Sequence, residues 1–205
     1  MQKGKQNQGV RRIVVTGMLA ALIAVLMLTG VGLIRIGPLV EITFLCLPVL
    51  IGVMAEGLGV GLTLGLAFGA ISFIQAFSSP SILAPYFMNP LVSVLPRVLI
   101  PVTTWLTVNG LSKLLSKGGA GRVLARGAAA FVGSLTNTVL VLGMVYVLIR
   151  LGVVVEGLDA GAAGALLLGV ALSNGLPEAA AMLVVTPPIL EALDRSIYQR
   201  RGAKT

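Results

Sequence analysis

Long apolar runs, broken by short clusters of charge, glycine and proline, set the pattern of this chain. The first run extends from Ile13 to Leu33 and the second from Pro38 to Ala55. A glycine-rich third covers Leu58 to Phe77, and the stretch SSPSILAPYFM follows it. Further runs cover Pro90 to Leu115, Gly127 to Ile149 and Ala160 to Leu190. A helix needs about 20 mostly apolar residues to cross a bilayer, and these runs meet or approach that length. They are continuous, unlike the short alternating segments of a membrane barrel. The pattern predicts an all-α integral membrane protein, a six-transmembrane-helix bundle forming one domain over residues 1–205.

Composition supports this reading. Hydrophobic residues make up 57% of the chain and charged residues only 11%, against about a quarter charged in a soluble domain. The 26 glycines suit helices that approach closely.

The net charge of +8 could point to nucleic acid, but its distribution points to membrane topology. Twelve of the 15 Lys and Arg residues fall in three places. These are the N-terminus (Lys3, Lys5, Arg11, Arg12), the fourth-to-fifth loop (Lys113, Lys117, Arg122, Arg126) and the C-terminal tail (Arg195, Arg200, Arg201, Lys204). Six spans with both termini cytoplasmic place all of these inside. Only Arg35 and Arg150 then fall outside, and Arg97 lies within a span. The start MQKGKQNQGVRR has the look of a signal-peptide n-region. The run behind it is long enough to span and lacks a small-x-small cleavage site, so it reads as the first helix.

Several chemistries are excluded. With no histidine and one cysteine, Cys46, neither a zinc site nor a disulfide framework can be assembled. Cys46 reads as a small packing residue. There is no Walker A, HExxH or GxSxG motif and no pair of carboxylates at catalytic spacing. The glycines of GVGLTLGLAFG lie inside a span with no preceding strand. No enzyme, catalytic residue or metal site is expected, and the chain has no ATPase of its own.

Polar residues within the runs are the candidates for function, because such groups are costly in a bilayer. In MNPLVSVLPRVLIP, Asn89, Ser93 and Arg97 are spaced by four and share a helical face. Asn89 reads equally as an N-cap before Pro90, and Ser93 as a back-bond to its own helix. Arg97 lies ~12 Å along the helix from Asn89. Pro96 and Pro101 each free a carbonyl nearby, tolerable only beside protein or water. Arg97 is read as an anion site or as a structural salt bridge, with Glu178 or Glu41 as partner. Glu178 falls rather too deep for an easy pair. Asn137, flanked by Ser134 and Thr138, serves either a pocket or an interhelical hydrogen bond. Asn174 and Glu178 repeat the theme around Pro177, and Gln75 is placed to roof the same outward cavity. Tyr86 and Phe87 form either a lid or an interfacial anchor.

On the first run, Thr16, Ala20 and Ala24 form a small-xxx-small row, with Gly17 and Ala21 parallel to it. Such a face packs either inside the bundle or against a partner subunit.

Together these features resemble the substrate-binding S component of energy-coupling factor (ECF) vitamin transporters. The family's AxxxA-type face is matched by Ala20 and Ala24, while NPLVSVLPR and SLTNTVLVLG resemble its pantothenate-type branch. The resemblance implies a multi-pass subunit in the plasma membrane of a prokaryote. It would capture a vitamin from outside, topple, and release it inward when docked on a transmembrane T subunit with two ATPases. ATP would be used by those partners, and the chain itself would bind no cofactor and no nucleic acid. Arg97 and Asn137 would line the pocket, with Ser93, Asn89, Asn174 and Gln75 around them. Ala20, Ala24, Gly17 and Ala21 would form the docking face.

Pantothenate fits the residues physically, because Arg97 can hold its carboxylate bidentately. Asn137, Ser93 and Asn174 can meet its amide and hydroxyls. The scarcity of aromatics, with Trp105 the only tryptophan, disfavours flat ring vitamins. The alternatives are an S component for hydroxymethylpyrimidine, riboflavin or folate, and a self-sufficient secondary transporter. The halves show no repeat of the kind such transporters carry. A membrane scaffold that leaves Arg97 purely structural is the third possibility.

Overall fold

A computed structural model describes residues 2–30, 32–36, 40–78, 84–115, 118–153 and 160–202. Side chains are described within 9–30, 43–78, 85–115, 118–153 and 163–196, and at Gly32. The chain is nearly all helical. Helix α1 covers Gln2–Thr29 and stops at Gly30, whose φ of 68° suits glycine. Two short strands follow, β1 (Leu33–Ile36) and β2 (Val40–Thr43), paired antiparallel with Arg35 opposite Glu41. Helix α2 (Leu47–Glu56) is separated from α3 (Leu58–Ala76) by Gly57, at φ 96°. Then come α4 (Ala84–Phe87), α5 (Pro90–Leu114) and α6 (Gly119–Arg150). Helix α7 (Ala160–Val170) continues through a π-helical segment, Ala171–Gly175, into α8 (Leu176–Gly202).

Among the described residues five helices are long and apolar enough to cross a membrane, the last running from α7 through the π segment into α8. The expected second span is the exception. Its first part, VEIT at Val40–Thr43 with three β-branched residues, forms the second strand of the hairpin, leaving a helix of ten residues. That helix is ~15 Å long, half a bilayer core. The strictly all-α expectation is corrected by the hairpin. Helix α6 also begins eight residues before the expected Gly127.

Apolar side chains such as Ile13, Met18, Leu66 and Val184 face outward. The interior joins a core of Ile23, Leu50, Leu64, Phe68, Ile100 and Met182 to a second cluster around Tyr86, Val92 and Val145. Glycines and prolines set the closest approaches. Pro101 has no N–H for the Arg97 carbonyl, and a Cβ on Gly65 would lie 2.5 Å from that oxygen. Gly69 and Gly61, one turn to either side, face Val94 and Pro101. Likewise Pro187 frees the Leu183 carbonyl, and a Cβ on Gly127 would lie 3.0 Å from it. The glycine-rich third run therefore works as a flat track on which α5 rests.

Ion pairs gather where α1 begins and α2 ends, and where α6 begins and α8 ends. Arg11 meets Glu56 at 2.6 Å, with Arg12 at 3.8 Å. Arg126 meets Asp194 at 2.7 Å and Glu191 at 3.6 Å, and Arg122 also reaches Glu191. Chain alternation puts both clusters at one end of the bundle.

Candidate functional site

The site is built around the kinked first half of α5. Asn89 caps the helix, its Oδ1 accepting from the Leu91 N–H at 3.0 Å, with Pro90 at the first position. Ser93, fully buried, donates to the carbonyl of Phe87. That bond fixes the end of α4, and with it the Phe87 ring.

Arg97 is only 6% exposed. Its guanidinium carbon lies 5.6 Å from the ring centroid of Phe68 on α3 and 5.3 Å from that of Phe87. Such contacts strengthen as water is excluded. Nη1 donates at 2.8 Å to the carbonyl of Val92, which lies four residues before Pro96 and so has no helical donor. Nε is buried with no hydrogen-bond partner. Among the described residues Arg97 makes no ion pair. The Glu41 side chain, one expected partner, lies outside the described residues.

Glu178 makes no ion pair among the described residues, and its contacts are with neutral donors. Thr43 at the end of β2 donates to Oε2. Cys46, ahead of α2, and Ser134 of α6 approach Oε1 at 3.5 and 3.3 Å. Cys46 is thus a hydrogen-bonding residue as well as a packing one. Arg97 and Glu178, expected as one possible pair, form no ion pair with each other.

Asn137 is half-buried on α6, which packs along α5, and its Oδ1 has no partner. The next residue, Thr138, abuts Gly175 so tightly that a Cβ there would sit 2.4 Å from its methyl. This seats α6 against the π segment, which carries Asn174. That segment falls where Pro177 cannot donate to the Ser173 carbonyl, a usual cause of helix widening. Gln75 reaches elsewhere, its Nε2 donating at 2.9 Å to the Met27 carbonyl in the last turn of α1.

The structure therefore brings Arg97 and Ser93 together with Phe68 and Phe87, and gives Asn89, Ser93 and Gln75 internal partners. Sequence reasoning missed Phe68 and Thr43, read Cys46 as packing alone, and read Ser134 as a neighbour of Asn137 and not as a donor to Glu178. Phe68 follows Gly65 by three, so its place beside the glycine track was a readable signal. Thr43 and Cys46 carried none.

An apolar surface groove between α5 and α6 holds two hollows that share Val139 and Leu140. Arg97 lines neither hollow. On α1, Ala20 packs against the core and Ala24 is half-buried. Gly17 and Ala21 are exposed, and a Cβ on Gly17 would meet nothing within 4 Å.

Compared with known families, residues 11–190 match the one described as ECF transporter, substrate-specific component. No curated protein matches the chain.

Proposed function

From the premise that the chain belongs to the ECF transporter substrate-specific component family, a membrane transporter's substrate-binding component and not an enzyme, we propose that it captures pantothenate. The observation that carries this reading is the enclosed guanidinium of Arg97, with Nη1 committed to Val92 and Nε uncommitted.

A planar carboxylate accepts from the Nε edge of that group in a side-on, charge-assisted pair. Phe68 and Phe87 exclude water from the charge, and a lower local dielectric strengthens the attraction. The orphan Oδ1 of Asn137 supplies an acceptor for a hydroxyl or amide N–H. Asn174 adds a second amide from the π segment. Asn89 and Ser93 shape the enclosure through their internal bonds, and Gln75 ties the outer end of α3 to α1. Pantothenate offers one carboxylate, an amide and hydroxyls, and so matches a site with one cation and several amides.

In this reading the protein has six membrane segments, the short α2 with its hairpin standing for the second. Both termini lie in the cytoplasm of a prokaryote, where the basic residues gather. The α1 face of Ala20, Ala24, Gly17 and Ala21 docks on a T subunit, and two ATPases drive release. ATP stays on those partners.

Calorimetric titration of the purified protein with a vitamin panel tests this directly. Pantothenate should bind tightly, with hydroxymethylpyrimidine, riboflavin and folate weak or silent. Binding of another vitamin in its place, or of none, would sink the assignment.

A further inference from the structure

Glu178 is buried, and its carboxylate gathers donors from three separate elements. Thr43 ends β2, Cys46 precedes α2, and Ser134 lies one turn before Asn137 on α6. Glu178 itself opens α8, directly after the π segment that holds Asn174. A buried carboxylate must be compensated, and removing such a partner leaves the others' polar groups stranded. Here the hydrogen bonds come from neutral donors, so the carboxyl group acts as a tie between elements.

We propose that Glu178 is a positioning residue, which holds the end of the β1–β2 hairpin and the Ser134–Asn137 turn of α6 in the geometry the ligand requires. It does not touch the ligand. Asn137 has no bond of its own to fix its Oδ1, so its placement depends on the backbone turn that Ser134 anchors. The hairpin end is set by the same carboxylate, and a loss there loosens two walls at once. The part concerning Asn137 rests on the proposed pantothenate site, while the part concerning the hairpin does not.

Two measurements on the full chain test it. The first needs no ligand. Cys46 is the only cysteine, 1% exposed, and it approaches Glu178. Its alkylation by N-ethylmaleimide therefore reports opening of this corner. Thr43→Val and Glu178→Ala should each raise the alkylation rate by roughly tenfold or more, as local opening becomes easier. Glu178→Gln, which keeps the acceptor oxygen, should restore most of the protection. Thr43→Val removes only the hairpin tie, so the arm survives if Glu178→Ala fails to fold. The second measurement is a double-mutant cycle for pantothenate affinity. Ser134→Ala and Asn137→Ala should be coupled, by about 2- to 100-fold. Ser134→Ala and Asn89→Ala should act independently. Unchanged Cys46 reactivity in Thr43→Val, or additive effects of Ser134→Ala and Asn137→Ala, overturns the proposal. If the wild-type protein binds no pantothenate, the ligand assignment fails alone, and the alkylation arm decides the role of Glu178.

Discussion

The Nη1 group of Arg97 donates at 2.8 Å to the carbonyl of Val92, the acceptor that Pro96 leaves empty. One helix thus supplies both the cation and the defect that orients it. That carbonyl and the rings of Phe68 and Phe87 surround the guanidinium, and its Nε has no hydrogen-bond partner among the described residues.

Replacing Pro96 by alanine restores an N–H that competes for the Val92 carbonyl. Arg97 should lose its anchor. Pantothenate affinity should fall by about one kcal/mol, the net worth of one such bond, or roughly fivefold. Thermal stability should hold or rise, since an interior proline is removed from a helix. A titration together with a melting curve checks both, and unchanged affinity would refute the anchoring role.

Arg97→Ala should cost far more, because the ligand carboxylate would be buried without its cation. Truncating one partner of a buried charged pair costs about 2–5 kcal/mol, at least a thirtyfold loss of affinity. Arg97→Lys should recover only part, since an ammonium cannot present the planar edge. Equal binding by wild type and Arg97→Ala would remove Arg97 from the site.

Gly65→Ala probes the glycine track. The added Cβ would sit 2.5 Å from the Arg97 carbonyl oxygen, a backbone atom with little room to move. Overpacking of this kind costs about 1–3 kcal/mol. The melting temperature in detergent should drop by several degrees, with weaker ligand binding because α5 is displaced. Gly17→Ala, where nothing lies within 4 Å, should hold or slightly raise stability by helix propensity and serves as the control.

The α1 face separates two kinds of variant. Gly17→Leu and Ala21→Leu add bulk to exposed positions, so ligand binding should persist while uptake by the assembled transporter is lost. Ala20→Leu presses on the core cluster as well and should lower the melting temperature in addition to blocking uptake. Ala24→Leu, half-buried, should fall between them. Uptake at the wild-type level in Gly17→Leu and Ala21→Leu would take this face out of docking.

Much of the architecture was legible because lipid leaves a chain few options. Apolar runs long enough to span must satisfy their backbone internally, so they become helices. The caps and breaks around α5 were equally readable, since Asn89, Pro90, Pro96 and Pro101 act through local backbone chemistry. The second run misled for the same reason that the others succeeded. Length and apolarity do not distinguish a span from a hairpin plus a short helix, and Val40–Thr43 pairs with Leu33–Ile36, which begins where the first run ends.

The sequence by itself determined the membrane class, the long helices and the polar residues that could carry chemistry, because each follows from composition, period or local backbone rules. Tertiary structure alone decided which of those polar groups are committed. It gave Gln75 to the end of α1 and Glu178 to Thr43, Cys46 and Ser134. It left Arg97 between two phenylalanines with Nε uncommitted. Those partnerships join residues up to 135 positions apart. No local rule reaches that far, and only packing brings such groups within hydrogen-bond distance.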